Sequence, residues 1–458
     1  MSKFSIASPK IIKIMKQSIL FLTLFLSWNT YCMAQKSLLQ SGPMLGYSEM
    51  REVLLWVQTT EAAEVKFAYW TKDSLNNTPD SIYYTKTVKT NENQAFTAKL
   101  IADKVMPGNR YHYDLYINNQ KIVVDYPTVF QSQPLWQWRN DPPEFSLAVG
   151  SCAYVNEEIF DRPGNVYGGF YGIFQQIHQL QPDAMIWLGD NNYLREADWF
   201  TQTGIHHRYT HTRSLPELQP LLASTHHYAI WDDHDFGPND SDRSFIHKKK
   251  TLKAFENFWG NPTTGLPEME GGITTSFEWN DVAFFLLDNR YFRSPNNRKT
   301  GEATILGKQQ LEWLIDALAT SKAAFKIVAI GGQVLNPLPI WENYANRHAE
   351  ERAYLLEQIA AEGLKNVVFI DGDRHHTELS KMVNSEGNAI YDLTCSPLTS
   401  GTGTRDEVNP LRIEGTLVTE RNFGLLTFSG KRGERRLKIQ IFNAEGKEMW
   451  MREIEQAH

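Results

Sequence analysis

Cysteine is scarce in this chain, with three in 458 residues, so a fold stapled by several disulfides is excluded. Positive charge is not in surplus: 46 Lys and Arg stand against 53 Asp and Glu, for a formal charge of −7. That balance, with no basic run in the mature part, argues against nucleic acid or an anionic membrane as the main partner. No apolar run is long enough to predict a membrane-spanning helix. No serine sits in a GxSxG frame, so the nucleophile elbow of α/β-hydrolases is absent. The stretch Gly301 to Lys308 has one residue too many for a phosphate-binding P-loop, and Gln309 stands where that loop needs a hydroxyl. Internal repeats and low-complexity tracts are also missing.

What is present reads as an ordinary folded protein with an address. Lys3, Lys10, Lys13 and Lys16 precede the apolar run Ile19 to Trp28, and Cys32-Met33-Ala34 supplies small residues before a cut. That order predicts a secretory signal peptide over residues 1–34, of Sec type because no twin arginine accompanies it. The expected location is periplasmic or extracellular. Lipoprotein anchoring is the lesser alternative, because Cys32 lacks the Leu and small residues expected around a lipid-modified cysteine.

From 35 to 134, short alternating runs such as VLLWVQT, EVKFAYW and RYHYDLYI, separated by Asn, Asp and Gly turns, predict a small antiparallel β-sandwich. A linker rich in Trp and Pro follows. From 144 to 458 strands alternate with helices, among them helices near Tyr167 to Leu180 and Arg243 to Trp259, and the chain closes in a hairpin. A mostly parallel alternation finished by antiparallel strands predicts two sheets packed together with helices outside.

Four buried-strand patterns, FSLAV, AMIWL, HHYAI and NVVFI, end in strings rich in metal-ligand chemistry. These are Gly150-Ser151-Cys152, Gly189-Asp190-Asn191-Asn192-Tyr193, Trp231-Asp232-Asp233-His234-Asp235 and Gly372-Asp373-Arg374-His375-His376. Reactive groups of α/β sheets gather beyond the carboxyl ends of strands, so the four tips predict one dinuclear metal site. Asp190 is placed to bridge two ions, and Tyr193 returns to the same point. A phenolate is a good ligand only for a strongly acidic ion; with Cys152 and His375 the charge count suits Fe(III) better than Zn(II). Asp190, Asp233 and Asp373, with Gln333 as a neutral oxygen donor, make an all-oxygen second site that suits Ca(II), Mg(II) or Mn(II). The competing use of Cys152 is a disulfide with Cys395. His376 is expected behind the ligands, and His206, His207 and His211 on a solvated helix face.

Two ions so placed predict attack on phosphorus by a metal-held hydroxide, with His234 donating a proton to the leaving oxygen. Asn239 and Arg290 are candidates for contacts to the substrate phosphate, since a guanidinium fits phosphate geometry; a salt bridge within the site is the alternative for Arg290.

With these residues assembled, the chain resembles the PhoD-like alkaline phosphatase family of the calcineurin-like metallophosphoesterase superfamily. The resemblance rests on GDxxY, DDH[DE] and GDxHH in that order, with Gly42-Pro43-Met44-Leu45-Gly46-Tyr47, Leu287-Asp288-Asn289-Arg290-Tyr291 and Gly331-Gly332-Gln333-Val334. It implies a four-layer αββα sandwich preceded by the small all-β domain. It also implies iron on Cys152, Asp190, Tyr193 and His375, and calcium on Asp190, Asp233 and Asp373, with Mn(2+), Mg(2+) or Zn(2+) as alternatives. The implied activity is hydrolysis of phosphate monoesters, diesters or both. The alternatives are phospholipase D-type action on cell-envelope phosphodiesters and a non-catalytic surface-binding protein with a structural metal.

Overall fold

In a computed structural model that describes residues 37–72, 81–403 and 407–458, two sheets form the centre of the molecule. The predicted leader at 1–34 lies outside the described residues. The larger sheet has nine strands, in the spatial order Glu448–Glu455, Arg436–Asn443, Asn422–Ser429, Phe145–Gly150, Ala184–Leu188, His226–Ile230, Leu39–Ser48, Val53–Thr59 and Thr97–Ala102. The second has six, ordered Thr275–Trp279, Val282–Leu286, Phe325–Ala329, Val367–Asp371, Ala389–Thr394 and Glu378–Val383.

Side-chain alternation explains the layers. In Val282–Leu286, Val282, Phe284 and Leu286 join the core between the sheets, whereas Ala283 and Phe285 face the helices. Val368 and Ile370 repeat the inward set and Val367 and Phe369 the outward one, as the two-residue period of a strand requires. Helices Lys308–Thr320 and Ala349–Ala361 cover that outer face, and Ile173–Gln179 and Gln219–Ser224 pack on the large sheet. The sheets meet through aromatics: Tyr228 of the larger sheet stacks on Phe277 of the second at 3.8 Å, and Phe277 in turn stacks on its cross-strand neighbour Phe284 at 4.7 Å. This is the four-layer αββα arrangement.

The 35–134 segment divides between two sheets. Leu39–Ser48, Val53–Thr59 and Thr97–Ala102 continue the large sheet, with Leu45 paired in parallel to His226. Glu64–Trp70 and Arg110–Ile117 lead a separate antiparallel sheet. The carboxyl end is a three-stranded antiparallel meander in place of a lone hairpin.

Two helix expectations need correction. The helix expected from Tyr167 begins at Ile173, because Gly168, Gly169 and a left-handed Phe170 (φ 56°) keep the preceding stretch irregular. Ahead of Lys248–Phe258 the chain is likewise non-helical from Arg243. Gln202–Arg213, whose apolar face is weak, is the helix that carries His206, His207 and His211.

Candidate metal centre

Three of the four tips leave adjacent parallel strands of the large sheet, Phe145–Gly150, Ala184–Leu188 and His226–Ile230. The fourth leaves Val367–Asp371 of the other sheet. The site therefore lies where the carboxyl ends of both sheets meet. Gly372 sets the approach: a Cβ there would lie 2.2 Å from Ser151 Oγ and 3.0 Å from the Leu188 carbonyl, so only glycine lets the tips interlock.

Backbone geometry marks four of the six expected ligands. Cys152, Asp190, Asp373 and His375 all hold left-handed φ values, 59°, 52°, 65° and 56°. Such conformations cost a non-glycine residue roughly 1–3 kcal/mol each and cluster at functional sites. Local hydrogen bonds hold them: Cys152 N–H donates to the Gly189 carbonyl at 3.2 Å, and His375 N–H to Ser396 Oγ at 3.0 Å.

Ligand atoms converge as the tips do. One each from Cys152, Asp190 and His375 lie within 4.8 Å of one another, as do those of Asp190, Asp233 and His234. Tyr193 closes the first group, its hydroxyl 3.4 Å from His375 Nε2 and its ring 4.3 Å from that of His234. Among the described residues Asp190, Asp233 and Asp373 do not form one such group. Asp373 meets Asp232 and Asp233 instead, which brings in a carboxylate not expected as a ligand. Asp235 is a strut: buried, it accepts from the backbone N–H groups of Asn191, Asn192 and Asp232 at 2.9–3.1 Å and ties two tips together.

The electrostatics of the site call for a cation. Burial, with the charges of Asp233 and Asp232, pushes the Asp190 carboxyl well above its ordinary range. The Cys152 thiol and Tyr193 phenol are also pushed well up, chiefly by burial. Asp373 is raised to about 8 by burial and the neighbouring Asp232. Asp233 goes the other way, to about 2, because His234 and Arg290 outweigh its burial. Buried carboxylates so crowded stay anionic only against positive charge. Asp232 Oδ2 is moreover buried with no hydrogen-bond partner among the described residues. The donors suit two ions: sulfur, phenol, imidazole and carboxylate at one end, carboxylates alone at the other.

Other candidates went elsewhere. Arg290 is 1% exposed, and its guanidinium is taken by Asp232, by Glu342 at 2.7 Å and by Asp233 at 3.8 Å. The guanidinium thus sits in a buried ion cluster, reinforced by Arg293, as the salt-bridge alternative has it. Asn239 lies exposed on the turn after the helical turn Asp233–Phe236. The side-chain oxygen of Gln333 accepts from Asn336 and its nitrogen donates to Glu378 and Thr394. His376 is buried behind the ligands, Nδ1 against the Arg374 carbonyl. His207 pairs with Glu157 and His206 with Gln202. Cys152 and Cys395 are both free thiols, so the disulfide alternative falls.

Sequence reasoning missed Asp232 as a ligand candidate, Glu342, and Tyr167, whose hydroxyl reaches His375. Asp232 was legible as one of four polar residues in line. Glu342 and Tyr167 sit in loops without pattern.

Comparison with known proteins gives the family and the fold. Residues 147–443 match the family model described as PhoD-like phosphatase. Alkaline phosphatase D of Bacillus subtilis (strain 168) is 20% identical over 291 residues, covering 52% of this chain and 47% of that protein. The match thus spans about half the length of that relative. A solved structure of PhoD aligns with a TM-score of 0.72 at 16% identity, over 92% of this chain and 93% of the other. The purple acid phosphatase PPD1 of yellow lupin aligns at 0.64 with 12% identity, over 91% and 74%.

Proposed function

The chain belongs to the PhoD-like phosphatase family, and from that premise we propose that it is a metal-dependent hydrolase of phosphoester bonds. The observation that carries the reading is the convergence of Cys152, Asp190 and His375 with Asp190, Asp233 and His234 around one shared carboxylate.

Cys152, Asp190, Tyr193 and His375 would hold one ion, for which their anionic donors favour Fe(III). Asp233 and Asp373, with Asp190 or Asp232, would hold a second, for which oxygen donors favour Ca(II). Bound ions would supply Lewis acidity at the phosphoryl oxygens. The remaining chemistry falls to the chain. His234, half-buried at the mouth, donates a proton to the leaving oxygen, and its stacking on Tyr193 fixes the ring for that transfer. Arg290 holds Asp232 and Glu342 in place from behind. Asn239, exposed on the turn that follows His234, contacts the substrate phosphate.

The proximity of His234 to Asp190 and Asp233 favours a second reading, in which it is itself a ligand. Metal analysis of His234→Ala separates the two: full metal content with lost turnover supports proton donation, and lost metal supports ligation. The substrates are phosphate monoesters or diesters, including those of a cell envelope, since the leader at 1–34 would export the chain. No described helix is long and apolar enough to cross a membrane. A phosphate-release screen over mono- and diesters on metal-loaded protein tests the reading. Silence across that panel would refute it.

A further inference from the structure

Tyr167 lies in the irregular stretch ahead of the helix Ile173–Gln179, yet it reaches the centre. Its hydroxyl lies 3.3 Å from His375 Nδ1, and its ring packs edge-on to Tyr154 at 4.8 Å and to Tyr193 at 6.3 Å. The other nitrogen of His375, Nε2, faces the hydroxyls of Tyr193 and Ser400, both at 3.4 Å. We propose that Tyr167 is a positioning residue for His375: its hydroxyl accepts the Nδ1 proton and so keeps Nε2 bare and turned towards Cys152 and Asp190. The idea rests on the reading of Cys152, Asp190, Tyr193 and His375 as an ion site. An imidazole can offer only one bare nitrogen when neutral, and the partner of the other nitrogen decides which.

The loop is built to hold that ring still although Tyr167 is 40% exposed. Arg421 Nη2 donates to the Tyr167 carbonyl at 3.1 Å, and Gly169 N–H to the Thr399 carbonyl at 2.9 Å. The Asn156 amide clasps both sides of Gly168, accepting from its N–H and donating to its carbonyl, each at 2.9 Å. Space is kept for the ring as well: a Cβ on Gly401 would come within 2.7 Å of it. A mere rim residue would not need its backbone tied on three sides and a glycine opposite.

Tyr167→Phe keeps the ring and removes the acceptor, so it is the variant to use. Metal retention is followed by elemental analysis during titration with a chelator, on wild type and variant loaded alike, without any turnover measurement. Wild type is expected to keep its metal, and the variant to release one ion at a chelator concentration ~10–100-fold lower, the usual effect of losing a histidine's outer partner. The metal-free thermal midpoints should agree to about 2 °C, because no packing is lost. Equal retention would overturn the inference, and so would a metal-free midpoint lowered as much as the loaded one. A wild type that binds no metal at all would instead sink the ion site on which the inference rests.

Discussion

His234→Ala is the sharpest probe of the chemistry, because the expected damage depends on what is leaving. The ring is half-buried and stacked on Tyr193 at 4.3 Å with 31° between the planes. Such a pair is worth roughly 0.5–1.5 kcal/mol, so the variant should fold. General acid catalysis contributes ~10²–10⁴ in rate, or about 3–5 kcal/mol of barrier. Removal should therefore slow alkyl phosphates, whose departing alkoxide is strongly basic, by ~10³. A nitrophenyl phosphate leaves as a weak base and needs no proton, so its loss should stay below ~10-fold. Steady-state kcat on a series of esters of graded leaving-group basicity, with metal content checked on each sample, reads the difference. Equal losses across the series at full metal content would refute proton donation, and unchanged rates would remove His234 from the mechanism.

Other consequences can be measured on the same protein. Arg290→Met takes from Asp232 its guanidinium partner and leaves Glu342 with Arg293 alone as a cation, and breaking a buried ion cluster from one side should cost about 3–5 kcal/mol in urea unfolding. Adding Asp232→Asn should restore part of that loss, and full additivity would argue against the cluster. Gly372→Ala drives a Cβ into Ser151 and should destabilise by roughly 1–3 kcal/mol with weaker metal retention, whereas wild-type behaviour would show that the tips can part without harm. Acid should weaken the fold through His226, which burial depresses from 6.5 to about 4. The folded state rejects its proton, so this contribution is complete above about pH 6.5 and falls away as the pH drops to about 4, by up to roughly 3 kcal/mol. His226→Gln should flatten that part of the stability profile measured between pH 7 and 4, and an unchanged slope would place the acid sensitivity elsewhere.

Local pattern made much of this legible. FSLAV, AMIWL, HHYAI and NVVFI form strands, Phe145–Gly150, Ala184–Leu188, His226–Ile230 and Val367–Asp371, because short apolar runs stopped by glycine or acids have few other options. The ligand candidates at their tips were readable for the same reason: buried acids beside cysteine and histidine are costly unless they bind something. Arg290 was left between a phosphate contact and a salt bridge within the site, because its position at a strand end was visible while its partners were not. Asp232 lies 58 residues away in the chain and Glu342 lies 52. Tyr167 was invisible, since its value depends on His375, 208 residues on.

The order of motifs, the family and the types of donor were thus determined by sequence alone, since each is carried by a few neighbouring residues. Only the tertiary structure decided that three tips belong to one sheet and the fourth to another. It also decided that Asp373 faces Asp232 and that strands from 39 to 102 extend the large sheet. The reason is physical: strand patterns state that an edge wants a partner, and packing between distant segments chooses which one it gets.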